Sequence, residues 1–304
     1  IAMGSTLLAL TPSEILSISN DTFLDVVAEI SEIQGFTTQQ LQAWATMAIR
    51  SMGGPAMMTE DQLLSLNEFA KGFTADELSE MSFTSNEVIE SFGNIRGYTS
   101  LQITKLWETI KGGKSMAAFT GDDLVALGVI ATGMSTAELN GIDALAYQDA
   151  ALELGQLNEW SSEQLAALKE KAILSFGAVN SWTPAQMSLA GAVIGSFTVQ
   201  EVQSISADQL DAVASNSLQH IPPNIFKAFS LEQLSNMSGE QAAAVTDEQK
   251  SVLSSAQKTI LMGIETATLG YTSGGAASGL SMSPLIVHTV VFQVFMAQYI
   301  SLEL

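Results

Sequence analysis

One six-residue pattern restricts this chain more than any other feature. It runs apolar, Ser or Thr, two free positions, Glu, Gln or Asp, then apolar, as in "FTTQQL" (36–41), "FTADEL" (73–78), "WSSEQL" (160–165) and "FSLEQL" (229–234). Each class has a task at a helix start. The hydroxyl accepts from the N3 backbone amide, the N3 side chain reaches back to the N-cap amide, and the flanking apolar pair clasps as a staple. Good copies place caps at Thr11, Thr37, Thr59, Thr74, Thr84, Thr120, Ser135, Ser161, Thr183, Thr198, Ser206 and Ser230, with looser ones at Thr99, Ser238 and Thr246. Pro12 and Pro184 fall at the first helical position, where a missing N–H costs nothing. Starts this close together predict an all-α body of short helices joined by short connections. The rival reading, phosphorylation of Ser or Thr ahead of acids, is weaker because a hydroxyl engaged in a cap is a poor acceptor of phosphate.

The spacing of the cassettes carries further information. Thr11, Thr37, Thr59 and Thr74 recur at Ser135, Ser161, Thr183 and Thr198, an offset of 124 residues without a gap. After Thr84 the registers drift, and Ser206 comes two residues early. Two tandem multi-helix units, 7–130 and 131–269, predict a solenoid in which each short helix buries its face against its neighbours. The run "SLEQLSNMSGEQAAAVTDEQK" (230–250), with caps eight residues apart, predicts helices of barely two turns.

Charge excludes several partners. Acids outnumber bases 32 to 11, for a net charge of −21, which repels nucleic acid and anionic lipid headgroups. With no cysteine, disulfides, thiol catalysis and zinc–thiolate sites are excluded. The chain starts "IAMGSTLLAL", with no initiator Met and no basic stretch ahead of an apolar one. Either a signal peptide has been removed or this is a segment of a longer precursor.

No catalytic constellation is legible. The two histidines, His220 and His288, have no acid partner at motif spacing, and no metalloprotease, nucleophile-elbow, P-loop or dinucleotide motif occurs. Asp122 and Asp123 belong to the cassette "FTGDDL" and lack calcium-loop spacing. The expectation is therefore no catalytic, cofactor, metal or small-molecule site. Trp44, Trp107, Trp160 and Trp182 occupy helix-face or staple positions and are read as core rather than as a glycan platform. Asn20 and Asn236 head glycosylation sequons.

Composition changes at Gly270. "GYTSGGAASGLSMSP" (270–284) is a Gly/Ser-rich linker, and "LIVHTVVFQVFMAQYISLEL" (285–304) is an apolar tail. Leu285, Val287, Val290, Val291, Phe292, Val294 and Phe295 give it β-strand character. Such a strand can be donated to a neighbouring molecule, which joins subunits head to tail, or can fold back on its own body. Small residues at Ser273, Gly274 and Gly275 followed by an apolar stretch also fit a glycosylphosphatidylinositol attachment signal. A transmembrane span fits less well, because His288, Gln293 and Gln298 interrupt an already short segment.

The repeats "LTPSEILSIS" (10–19), "FTADELSEMS" (73–82) and "FSLEQLSNMSGEQ" (229–241), with the Gly-containing connection "ATGMSTAEL" (131–139), resemble the stereocilin–otoancorin–mesothelin superfamily over most of 7–270. That resemblance implies a right-handed, armadillo-like superhelix and an extracellular adhesion or matrix-attachment role, often with a lipid anchor. Together these readings predict a non-enzymatic extracellular structural protein whose partner is itself, in a filament joined through the tail. The alternative is a lipid-anchored module that binds a matrix or cell-surface protein or glycan on the solenoid face. Only such an anchor would bring it to a membrane.

Overall fold

The computed structural model describes residues 6–272, and every regular element among them is helical. The chain divides into one unit at Ile1–Ile264 and a second at Glu265–Leu304, of which only the end of the helix Ser255–Thr272 is described. The expected repeat units lie in the first unit except for their last residues. Of the linker, only 270–272 is described. The tail, with its expected strand, and the expected attachment residues Ser273, Gly274 and Gly275 lie outside the described residues.

The capping cassette does what its residue classes require. At Thr37 the hydroxyl accepts from the Gln40 amide, and Gln40 Oε1 accepts from the Thr37 amide at 2.9 Å. The three looser copies, at Thr99, Ser238 and Thr246, form complete boxes as well. One cap differs from expectation. Ser85, not Thr84, caps Asn86–Gly93, because the Thr84 hydroxyl is drawn to Glu60 Oε1 at 2.5 Å. Three further caps lie outside the expected set: Ser19, Asp143 and Ser254.

A shorter period runs through the middle of the chain. Caps Thr37, Thr99 and Ser161 start the long helices Thr38–Met52, Ser100–Lys111 and Ser162–Phe176. Each is followed by a single 3-10 turn (Pro55–Met57, Met116–Ala118, Val179–Ser181) and a short helix (Glu60–Leu64, Gly121–Leu127, Pro184–Ala190). A longer 3-10 segment comes next (Asn67–Gly72, Gly128–Gly133, Gly191–Ser196), and then another short helix (Ala75–Ser79, Thr136–Gly141, Val199–Ser204). The same order thus occurs three times at intervals of about 62 residues, and the 124-residue offset is two of these periods. From Ser206 the pattern contracts to short helices capped by Ser230, Ser238 and Thr246 at eight-residue steps.

Helices of five residues are not stable alone. Burial of the staple residues holds them: Phe73, Phe197, Phe229, Leu78, Leu139 and Leu234 are all at most 2% exposed. Each such side chain contributes about 1.5–3 kcal/mol by leaving water. All four tryptophans are buried, and Trp44 stacks on Phe69 with ring centroids 5.0 Å apart. Close backbone approach sets the packing elsewhere. Gly191, at φ +47°, lies so near Gly155 that a Cβ on it would stand 2.1 Å from the Gly155 carbonyl oxygen; Gly128 meets Gly93 in the same way.

Candidate functional site

The most regular polar feature of the molecule is a ladder built from the N3 residue of the capping boxes. A glutamine there has two ends. Its Oε1 closes the box, and its Nε2 is left with two protons to donate. In eight boxes both protons go to a pair of carbonyls about 30 residues earlier. Gln40 Nε2 lies 2.9 and 2.8 Å from Leu8 O and Leu10 O. Gln102 reaches Lys71 O and Phe73 O, and Gln164 reaches Thr132 O and Met134 O. Gln209, Gln233, Gln241, Gln249 and Gln257 continue the series, the last on Lys227 O and Phe229 O. Every one of these bonds runs from the later segment to the earlier. Seven of the eight glutamines, all but Gln164, are buried at 8% exposure or less, which raises the cost of losing a partner.

At two of the acidic N3 positions, Glu138 and Glu201, a lysine from the preceding long helix binds the carboxylate. Glu138 binds Lys111 Nζ at 2.5 Å and Trp107 Nε1 at 3.2 Å, and Glu201 binds Lys169 at 3.2 Å while Lys169 also donates to Ser196 O. Burial works against ionisation of Glu138. Lys111, the Ser135 amide and hydroxyl, and Trp107 outweigh it and hold the carboxyl down to about 2. Glu201 is lowered by the same balance of burial against Thr198 and Lys169. Lys171, buried and without a carboxylate, donates to Ile142 O at 2.6 Å.

A groove of about 610 Å³ opens beside this network, between the helix Ser100–Lys111, the segment 132–138 and the segment 159–164. Trp107, Trp160 and Ile103 line it together with hydroxyls and the carboxylates Glu108, Glu138 and Glu159. Each carboxylate already has a cation: Lys105, Lys111 and Arg96 respectively. The indole N–H groups of Trp107 and Trp160 are spent on Glu138 and Leu154 O. Further along, His220 Nε2 meets Asn158 Oδ1 at 3.0 Å, and its pKa is lowered by burial against the opposing pull of Glu159.

The two sequon residues are exposed and far apart in the chain. Asn20 starts its helix and its Oδ1 accepts from Arg50 Nε at 2.8 Å; Asn236 follows Leu231–Ser235 and donates to Glu232 O at 2.9 Å. Asp123 closes the capping box of Thr120, as expected of "FTGDDL". Among the described residues no group of three or more His, Asp or Glu is placed to hold a metal ion, and no helix is long and apolar enough to cross a membrane. The ladder acceptors were beyond sequence reasoning, since a carbonyl carries no residue signature. The donors had one: glutamine rather than glutamate at N3.

No family model matches the chain. It is 26% identical to mouse otoancorin over 224 residues, which are 73% of this chain and 20% of that protein. It is 28% identical to mouse stereocilin over 181 residues, 58% of this chain and 10% of that protein, and 27% identical to human stereocilin over 210 residues, 67% and 12% respectively. The chain thus spans a tenth to a fifth of the length of these relatives. Otoancorin and stereocilin are accordingly the homologues of this chain, in agreement with the resemblance carried by its capping repeats.

Proposed function

We propose that this chain is a non-enzymatic extracellular structural or adhesion protein. Its body is an α-solenoid wound into a superhelix, and its apolar tail joins one subunit to the next. The observation that carries the reading is the Gln ladder: it ties each turn of short helices to the turn before it at intervals of about 30 residues, which is how a quasi-one-dimensional array is built. Homology to otoancorin and stereocilin supports an extracellular setting and a mechanical role. The units 7–130 and 131–269 would form the body, and the linker 270–284 would free the tail 285–304 to reach a neighbour.

The surface supports the same reading. With 32 acids against 11 bases, it is poorly suited to nucleic acid and keeps arrays apart except where a dedicated joint exists. Asn20 and Asn236 are the candidate glycan acceptors of the secreted protein. The decisive experiment removes residues 280–304 and images the product by electron microscopy beside the full chain. The full chain is expected to form filaments or rings, and the truncated one to remain a helical monomer. Filaments of normal length from the truncated chain, or a monomeric full chain, would overturn assembly through the tail.

A further inference from the structure

The groove between the helix Ser100–Lys111 and the segment 159–164 is lined by charge of one sign. The carboxylates of Glu108, Glu138 and Glu159 share its lining with hydroxyls and with Trp107, Trp160 and Ile103. No Lys, Arg or His is among the lining residues. The cations paired with the three carboxylates, Lys105, Lys111 and Arg96, stand outside that lining.

The three pairs are not equivalent. Glu138 is 19% exposed and spends one oxygen on Lys111 and the other on Ser135 and Trp107, so it is closed to a ligand. Glu108 and Glu159 are 55% and 41% exposed, and Lys105 takes only Oε2 of Glu108. Ion pairs this exposed contribute little free energy, so a second cation joins or replaces the first at small cost.

Tyr98 adds an independent feature. It lines the same groove, is 8% exposed, and has a buried hydroxyl without a hydrogen-bond partner among the described residues. At two other staple positions the need is met internally, since Trp160 donates to Leu154 O and Trp182 to Gly177 O. Burial, and after it the charge of Glu68, raises the pKa of Tyr98 well above the ordinary value, so a ligand meets a neutral phenol. A buried polar atom left unpaired carries a penalty that an incoming donor removes.

We propose that this groove is a docking site for an arginine side chain of another protein. The net charge of −21 draws cations to the surface, and the lining offers oxygen without a competing cation. Glu108 on the helix and Glu159 on the facing segment, with the Tyr98 hydroxyl, suit a planar fork of five donors better than a compact ammonium. The weak hydration of a guanidinium also suits a lining that is partly aromatic. A volume of about 610 Å³ holds such a side chain and the backbone that carries it. This inference rests on the groove and on neither the tail nor its assembly.

The probe is the blocked peptide acetyl-Arg-photoleucine-amide, beside its lysine and citrulline counterparts. Calorimetry on the full chain reads affinity, and mass spectrometry after irradiation locates the cross-link, whether the chain is monomeric or assembled. The arginine peptide is expected to bind with a Kd of about 1 mM and to cross-link within 98–108, 132–138 or 159–164. The lysine peptide should bind about threefold more weakly, and the uncharged citrulline peptide at least about tenfold more weakly. Glu108→Gln, Glu159→Gln and Tyr98→Phe should each weaken the arginine peptide about threefold. Equal affinity for the arginine and citrulline peptides, cross-links spread outside the groove, or no binding at about 10 mM peptide would overturn the proposal. So would an affinity unchanged in the two glutamine variants. The comparison of the three peptides uses the parent chain alone, so a variant that fails to fold does not remove the test.

Discussion

The side-chain amide of Gln241 stands 2.7 Å from the carbonyl oxygen of Val213 and 2.8 Å from that of Leu210, while its Oε1 accepts from the Ser238 amide at 3.0 Å. One side chain thus starts a helix and fastens it to the previous turn. A glutamate keeps the first task and loses the second. Gln241→Glu is expected to destabilise the fold at pH 7 by about 2–4 kcal/mol, since two carbonyls lose their donor and a carboxylate is left nearly buried beside them. Gln186 closes its own box but makes no such bridge, so Gln186→Glu should cost under about 0.5 kcal/mol. Urea melts of the pair decide the matter. Burial raises the folded pKa of a glutamate at 241, so its deficit should shrink as pH falls, when the protonated acid regains one donor.

Helix starts were the most legible part of the fold, because a cap is a local arrangement of four residues. Ser85 and Asp143 show where that legibility stops. Thr84 satisfies the pattern and Ser85, with Val88 at N3, does not, yet Ser85 takes the cap because Glu60, from another helix, engages the Thr84 hydroxyl. Asp143 caps through Oδ1 to the amides of Leu145 and Ala146 without an N3 partner, so it has half a cassette. Substitution should reproduce the distinction. Ser85→Ala is expected to cost about 1 kcal/mol and Thr84→Ala under about 0.5 kcal/mol, read from thermal melts.

The ladder was only half legible for a related reason. Gln40, Gln102 and Gln164 stand at equal intervals in the sequence, but their partners, such as Leu8 O and Lys71 O, are main-chain atoms that any residue supplies. Glu138 and Glu201 show a different case, in which the N3 side chain is joined to the preceding long helix by Lys111 and Lys169 at chain distances that differ by several residues. Only the folded arrangement reveals which partner each N3 side chain takes.

Glu138 also gives the fold an acid-sensitive element. Its pKa falls from an ordinary carboxylate value to about 2, so the ionised form is favoured in the folded state. The resulting stability is fully present above the unfolded pKa of about 4.5 and is lost as pH drops from there through about 2. The pair is partly exposed, so its contribution is about 1 kcal/mol after solvent screening. Lys111→Met should therefore lower stability at pH 7 and have little effect near pH 2. A deficit that stays constant across that range would show that Lys111 acts through packing alone.

Gly191 supplies the strictest steric demand in the molecule's third period. Its φ of +47° is already costly for a residue with a Cβ, by about 1–2 kcal/mol. A Cβ there would also sit 2.1 Å from Gly155 O and 2.8 Å from Gly155 Cα, atoms that no rotamer change can move aside. Gly191→Ala must therefore separate the segment Gly191–Ser196 from the end of the helix Ala144–Gly155, uncovering Val193 and Ile194, each 1% exposed. The expected loss exceeds about 3 kcal/mol, among the largest effects of a single methyl group. Gly113, with no heavy atom within 4 Å of an added Cβ and no positive φ, is the matched control, and Gly113→Ala should be neutral or stabilise by up to about 1 kcal/mol. Differential scanning calorimetry of the two variants against the parent measures both. Equal Tm values for the two would mean that the close approach of Gly155 and Gly191 is not what holds these segments in register.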